Sequence, residues 1–132
     1  MKRFKLRSWV NPRKFNWAYL STNPYAIELL KENPEKIHWW YLSQNPNAIE
    51  LLLENPENFY WSGLSKNPND KTIELLLKNP KKIDVSISQN KNPKAIKFLK
   101  EHPQMIYWQS LSNNPSAIEI LSEFPEKIEW DW

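Results

Sequence analysis

The sequence predicts an all-α chain, an α-solenoid of about five and a half two-helix units of about 22 residues each. Three observations carry this: 11 prolines in two regular ladders, apolar residues at helical spacing after each proline, and a near-absence of glycine (only Gly63). One ladder runs Pro24, Pro46, Pro68, Pro93 and Pro115; the other runs Pro12, Pro34, Pro56, Pro80, Pro103 and Pro125. Most steps are 22 residues, and the longer ones fall where extra residues appear at Asn69-Asp70 and Lys91-Asn92. All 11 prolines fit the pattern. Asparagine precedes each of them except Pro103 and Pro125, which follow His102 and Phe124.

The first half of each unit reads Asn45-Pro46-Asn47-Ala48-Ile49-Glu50-Leu51-Leu52, with copies from Asn23, Asn92 and Asn114. This is the chemistry of a helix start. Proline at the first helical position has no N–H to lose, and asparagine before it is held extended, where its side chain can accept an orphan N–H. Ala26, Ile27, Leu29 and Leu30 then make a broad apolar stripe, with glutamates and lysines turned outward. Helices this short are unstable alone and must pack on neighbours.

The second half reads Asn33-Pro34-Glu35-Lys36-Ile37-His38-Trp39-Trp40-Tyr41-Leu42-Ser43. Three residues past the proline stand Phe15, Ile37, Phe59, Ile83, Ile106 and Ile128; two further on stand Trp17, Trp39, Trp61, Val85, Trp108 and Trp130. On one helix these two positions face nearly opposite ways, as in a helix wedged between neighbours. That continuous short helix is the favoured reading. The alternative is a tight turn at Pro-Glu-Lys-Ile followed by a second short turn capped by residues such as Asn16 or Asp84. Either way the chain reads as one domain over residues 1–132, with a basic N-terminal cap over 1–10 and the units over 11–132.

Composition narrows the class further. With 40% hydrophobic and 25% charged residues the chain resembles neither a disordered tail nor a membrane protein, and no apolar run is long enough to span a bilayer. The absence of cysteine removes disulfides and thiolate metal ligands, and the basic start lacks the apolar core of a secretory signal. The expectation is a soluble intracellular protein. One glycine excludes the glycine-rich phosphate loops. Two histidines, His38 and His102, stand in different units and make a poor metal site, so no metal and no cofactor are expected. Ser21, Ser43, Ser65, Ser88 and Ser112 recur with the unit, which predicts helix-end hydrogen bonding rather than one activated nucleophile. Glu28, Glu50, Glu74 and Glu119 recur likewise and read as solvent-facing. No catalytic constellation stands out, and no small-molecule substrate is implied.

Departures from the pattern carry the functional signal. The sixth and seventh positions after the second proline differ in every copy, and Tyr19, Trp40 and Tyr41 exceed what the framework needs. They are candidate partner-binding residues, weighed against ordinary packing between turns. Charge is the second signal. Residues 1–27 hold Lys2, Arg3, Lys5, Arg7, Arg13 and Lys14 and no acid, net +6; residues 101–132 hold six acids against Lys127, net −5. A lysine belt of Lys78, Lys81, Lys82, Lys91, Lys94, Lys97 and Lys100 lies between. Such polarity suits head-to-tail self-association, or plain solubility of the terminal units. The basic head with Trp9 also suits nucleic-acid phosphates and bases.

The phrase NPEKIHWWYLSQNPNAIELLLENP at residues 33–56 resembles the asparagine-proline repeats found in many copies in proteins of giant nucleocytoplasmic DNA viruses. The resemblance runs from Val10 to the end of the chain. It implies a viral repeat protein, in the host cytoplasm or the virion, and carries no catalytic residues with it. The resulting expectation is a non-enzymatic scaffold for protein partners, with nucleic acid as the alternative. Its candidate contacts are Lys2, Arg3, Lys5, Arg7, Trp9, Tyr19, Trp40 and Tyr41.

Overall fold

The computed structural model describes residues 11–128. They are helical, with no strand among them. Nine short α-helices follow one another: α1 Trp17–Thr22, α2 Ile27–Glu32, α3 Trp39–Ser43, α4 Ile49–Glu54, α5 Trp61–Lys66, α6 Asp70–Lys78, α7 Pro93–Glu101, α8 Trp108–Ser112 and α9 Ile118–Glu123. Three-residue 3-10 turns stand at Pro12–Lys14, Pro34–Lys36, Pro80–Lys82, Pro103–Met105, Pro115–Ala117 and Pro125–Lys127, and a five-residue 3-10 helix at Val85–Gln89.

The continuous helix expected in the second half-unit does not form; the alternative is what the chain adopts. Pro34–Lys36 makes one 3-10 turn, Ile37 and His38 run extended, and α3 begins only at Trp39. The Ile and Trp positions therefore belong to different elements rather than to opposite faces of one helix. The cause is tertiary. The N–H after Ile37, Phe59, Ile83 and Ile106 is held by a serine about one unit earlier: His38 by Ser21 Oγ (3.0 Å), Tyr60 by Ser43 Oγ (2.9 Å), Asp84 by Ser65 Oγ (3.1 Å) and Tyr107 by Ser88 Oγ (2.9 Å). An N–H pointed sideways at a neighbour cannot enter an i→i−4 ladder. As the alternative anticipated, Asn16 accepts from the Tyr19 N–H and Asp84 from the Ser86 N–H.

The asparagines also depart from the expected N-cap role. Asn33, Asn55 and Asn79 end helices instead of starting them, each donating Nδ2 to the carbonyl four residues back at 2.9 Å. That carbonyl is one of the acceptors a helix end leaves unpaired. His102 does the same with Nδ1, 3.0 Å from the Phe98 oxygen. In the other ladder, Asn23 and Asn45 take the N–H two residues on, and the chain turns through Pro-x-Ala before α2 or α4 begins. Only α7 starts on an Asn-Pro pair, with Asn92 as cap and Pro93 at the first position. There Pro93 is out of register with its supposed equivalents: Asn90 and Lys91 stand where Asn45 and Pro46 stand, and Pro93 opens an α-helix of nine residues. Its predecessor α6 is lengthened in the same way behind Asn69.

The core is a file rather than a ball. Leu30, Leu42, Leu52, Leu64, Leu76, Ile87, Leu99 and Leu111 are all fully buried, drawn alternately from the two half-units. Along one side α1 packs on α3, α3 on α5, α5 on the Val85–Gln89 helix and that helix on α8. Where Val85 replaces tryptophan the segment is also one residue shorter. A 3-10 helix rises about 2.0 Å per residue against about 1.5 Å in an α-helix, so five residues span what six otherwise would. Ile87 thereby reaches the slot that Leu42, Leu64 and Leu111 fill.

A second file, of amides, runs beside the leucines. Asn45 Nδ2 donates to the Ser21 and Asn23 carbonyls (2.9 and 3.0 Å), and Asn67 to those of Ser43 and Asn45 (3.0 and 2.8 Å). Asn90 donates to Ser65 and Asn67 (2.8 and 2.9 Å), and Asn114 to Ser88 and Asn90 (3.0 and 2.8 Å). Each side chain also accepts a backbone N–H two residues on, so both its donors and its acceptor are engaged. Asn45, Asn67 and Asn90 have no exposed surface. A buried amide is tolerable only when paired in this way, and the pairing fixes where one unit sits on the next.

Candidate functional site

Of the eight residues singled out in the sequence, Lys2, Arg3, Lys5, Arg7 and Trp9 lie outside the described residues. Tyr19 stands on α1 and is 69% exposed. Trp40 and Tyr41 are neighbours on α3, both half-buried, with ring centroids 4.9 Å apart edge to face. No ring contact joins Tyr19 to them among the described residues.

Trp40 is held by two side chains of α5. Its Nε1 donates to Ser62 Oγ on α5 at 3.3 Å, and the Lys66 ammonium lies 5.3 Å from its ring centre, within cation–π range. The Gln44 side chain reaches the Trp40 carbonyl at 3.4 Å, and the His38 ring stands 5.0 Å from that of Tyr41. Ile37, His38, Trp39, Trp40 and Tyr60 line a shallow recess here. What brings α3 and α5 this close is Gly63: a Cβ there would stand 2.6 Å from Ser43 Cβ and 3.0 Å from the Trp40 carbonyl. Gly63 is thus a packing position, although in sequence it looked like one of the variable surface sites.

Sequence reasoning passed over Tyr60 and Tyr107, about half exposed and both at the residue preceding a tryptophan helix. A signal existed. That position holds Asn16, His38, Tyr60, Asp84 and Tyr107, none of them aliphatic, as suits a residue whose backbone is tied inward and whose side chain is left outside.

The lysine belt is partly neutralised. Lys94 lies 3.5 Å from Asp70 and 3.3 Å from Glu74, and Lys100 lies 2.9 Å from Glu123, in each case linking one first-half helix to the next. Asp70 also accepts from Asn92 Nδ2 at 2.7 Å, and that bond, with the Lys94 charge, holds its carboxyl below the usual range. The hydrogen bond to Glu74 raises Lys94, aided by Asp70, and the one to Glu123 raises Lys100.

Among the described residues no group of three or more histidines, cysteines or carboxylates is placed to hold a metal ion, and no helix is long and apolar enough to cross a membrane. Comparison with protein-family models, with curated protein sequences and with solved structures finds no match to this chain.

Proposed function

We propose that the chain is a non-enzymatic α-solenoid scaffold that holds a protein partner on the aromatic surface around Trp40. The observation that supports this most is a division of labour. Residues that recur in every unit serve the leucine file, the amide file or the serine bonds, while the positions of Trp40, Tyr41 and Tyr60 vary from unit to unit and these three side chains remain partly open to solvent. Tryptophan and tyrosine in a half-buried, rigid setting are favoured anchors for a protein surface, and Lys66 adds a charge beside them. In this reading the ladders set the spacing of the units and the irregular positions set the specificity. The resemblance to asparagine-proline repeats extends the reading to a viral protein made in the host cell or carried in the particle.

The test is capture of partners from native or infected cells by the whole chain, beside a Trp40→Ala/Tyr60→Ala variant with an unchanged circular dichroism spectrum. A partner held by the first and lost by the second supports the aromatic surface. Identical captures by both overturn it.

Nucleic-acid binding is the second reading, supported by Lys2, Arg3, Lys5 and Arg7. The pairing of Lys94 and Lys100 with carboxylates weakens the belt's share in it. A DNA titration at two salt concentrations decides. Binding that weakens steeply with salt and disappears when those four residues are replaced supports the reading, and no binding at low salt removes it.

A further inference from the structure

Charge is not spread evenly along the units. Residues 70–101, from α6 through α7, hold eight lysines against four carboxylates, a net +4, while residues 46–69 before them and 102–128 after them are each net −2. The excess arises where this unit reverses the pattern of its neighbours. Lys78, second before Pro80, stands where Glu32, Glu54, Glu101 and Glu123 stand in four others, and Lys81, just after that proline, where Glu35, Glu57 and Glu126 stand in three others. The same helix has Leu77 at the position of Lys31, Lys100 and Ser122, and leaves it 41% exposed. Leu53 on α4 is the other leucine at that position.

These departures are held in place. Asn79 donates its N–H to the Leu76 carbonyl at 2.8 Å and its Nδ2 to the Leu75 carbonyl at 2.9 Å, and its own carbonyl accepts the Lys82 N–H at 2.9 Å. The Pro80–Lys82 turn is thereby pinned to the end of α6, with Lys78, Lys81 and Lys82 all exposed. Between α6 and α7 runs a groove of about 230 Å³ lined by Leu77, Phe98, Lys94, Lys97 and Glu101. The Phe98 ring is stacked on His102, centroids 4.3 Å apart. Lys94 is engaged by Asp70 and Glu74, but Lys78, Lys81, Lys82 and Lys97 have no carboxylate partner among the described residues.

We propose that this groove, with the lysines that follow Leu77, docks an acidic amphipathic peptide segment of a partner protein. An apolar side chain enters between Leu77 and Phe98, and carboxylates meet Lys97, Lys78 and Lys81. The surface lies on other helices than Trp40 and stands whether or not that one is used. Charge selects the sign of the partner: an acidic segment is drawn to the +4 stretch and repelled by the acidic units on either side, which also fixes where it lies. The exposed leucine selects a peptide over a phosphate backbone, which gains nothing from Leu77 and would run onto those acidic units. A face one unit wide is smaller than a standard stable interface, so the association is weak and weakened by salt.

The test is fluorescence anisotropy of a labelled peptide, EELLEELLEE, titrated with the whole chain to about 1 mM at low salt. A second peptide, EESSEESSEE, keeps the charge without the leucines. Two variants return the unit to its neighbours' pattern and so spare the fold: Leu77→Ser, as at Ser122, and Lys78→Glu/Lys81→Glu, as at Glu54 and Glu57. The native chain should bind the first peptide with a Kd of about 10–100 μM, and each variant should bind it at least about tenfold more weakly, as should the native chain the serine peptide. No binding by the native chain overturns the proposal. Equal binding of the two peptides, or binding that Leu77→Ser leaves unchanged, reduces the surface to ion exchange and overturns it too. A short DNA duplex bound more tightly than the peptide, with no effect of Leu77→Ser, gives the lysines to nucleic acid and overturns it as well. The Trp40→Ala/Tyr60→Ala variant keeps this surface apart from the one proposed above: undiminished peptide binding supports a separate site, and loss in that variant alone places the peptide at Trp40 and overturns the groove.

Discussion

Asn67 is the centre of the amide file, and replacing it with alanine measures what the file is worth. The Ser43 carbonyl loses its side-chain amide partner, the Asn45 carbonyl keeps only the Ala48 N–H, and the Asn69 N–H loses its acceptor. A buried group left unpaired costs about 1–3 kcal/mol, one that retains a second partner less, and the vacated space adds about 1 kcal/mol. A loss of about 4 kcal/mol is expected, a large part of the 5–15 kcal/mol typical of a domain. Asn23→Ala is the internal control. Among the described residues it removes the Tyr25 cap but no bond between units, so about 1 kcal/mol is expected. Asn67→Asp sharpens the test, because a carboxylate turns an oxygen toward two carbonyls. Its folded pKa is raised, so the destabilisation is full at neutral pH and eases as pH falls through that raised value. Urea unfolding followed by tryptophan fluorescence and circular dichroism reports all three. Should Asn67→Ala fall within about 1 kcal/mol of Asn23→Ala, the file is not what binds the units.

Four further outcomes follow from particular contacts. Gly63→Ala should lower stability by about 1–3 kcal/mol in the same melts, although alanine favours a helix, since the added Cβ would meet Ser43 Cβ at 2.6 Å. Ser65→Ala leaves the Asp84 N–H without its acceptor and should cost about 1–2 kcal/mol, with the loss of protection at that amide visible in hydrogen exchange. Thr72 occupies a slot that holds Ala48, Ala95 and Ala117 in other units, and its buried hydroxyl has no hydrogen-bond partner. Thr72→Val keeps the shape and should therefore raise the midpoint of unfolding by about 1 kcal/mol equivalent. The exposed Asp70–Lys94 pair makes a small contribution that Lys94→Met removes. Asp70's carboxyl is lowered, so its share is present above its unfolded value of about 3.9 and fades as pH falls through the folded one. Lys94 is raised, so its share fades as pH rises through its folded value, above the ordinary lysine range. Melts across pH should converge with the variant's at both extremes.

The sequence by itself determined the helical class and which leucines go inside, because proline placement and apolar spacing are local facts that survive without a neighbour. It also identified the serines as hydrogen-bonding groups at helix ends: Ser21, Ser43 and Ser65 each donate to the carbonyl four residues back. Only the tertiary structure decided what the asparagines do. An Asn-Pro pair looks like an N-cap on local grounds, but the carbonyls of the preceding unit draw the amide inward, and the helix then starts three residues later. The same holds for the extended link at Ile37 and His38, which exists because Ser21 waits 17 residues back with a free lone pair. Gly63 and Tyr60 could not be assigned from sequence for a related reason. Whether a position faces a neighbour or the solvent depends on how close two units approach, and that distance is set by bonds between residues 22 to 26 apart.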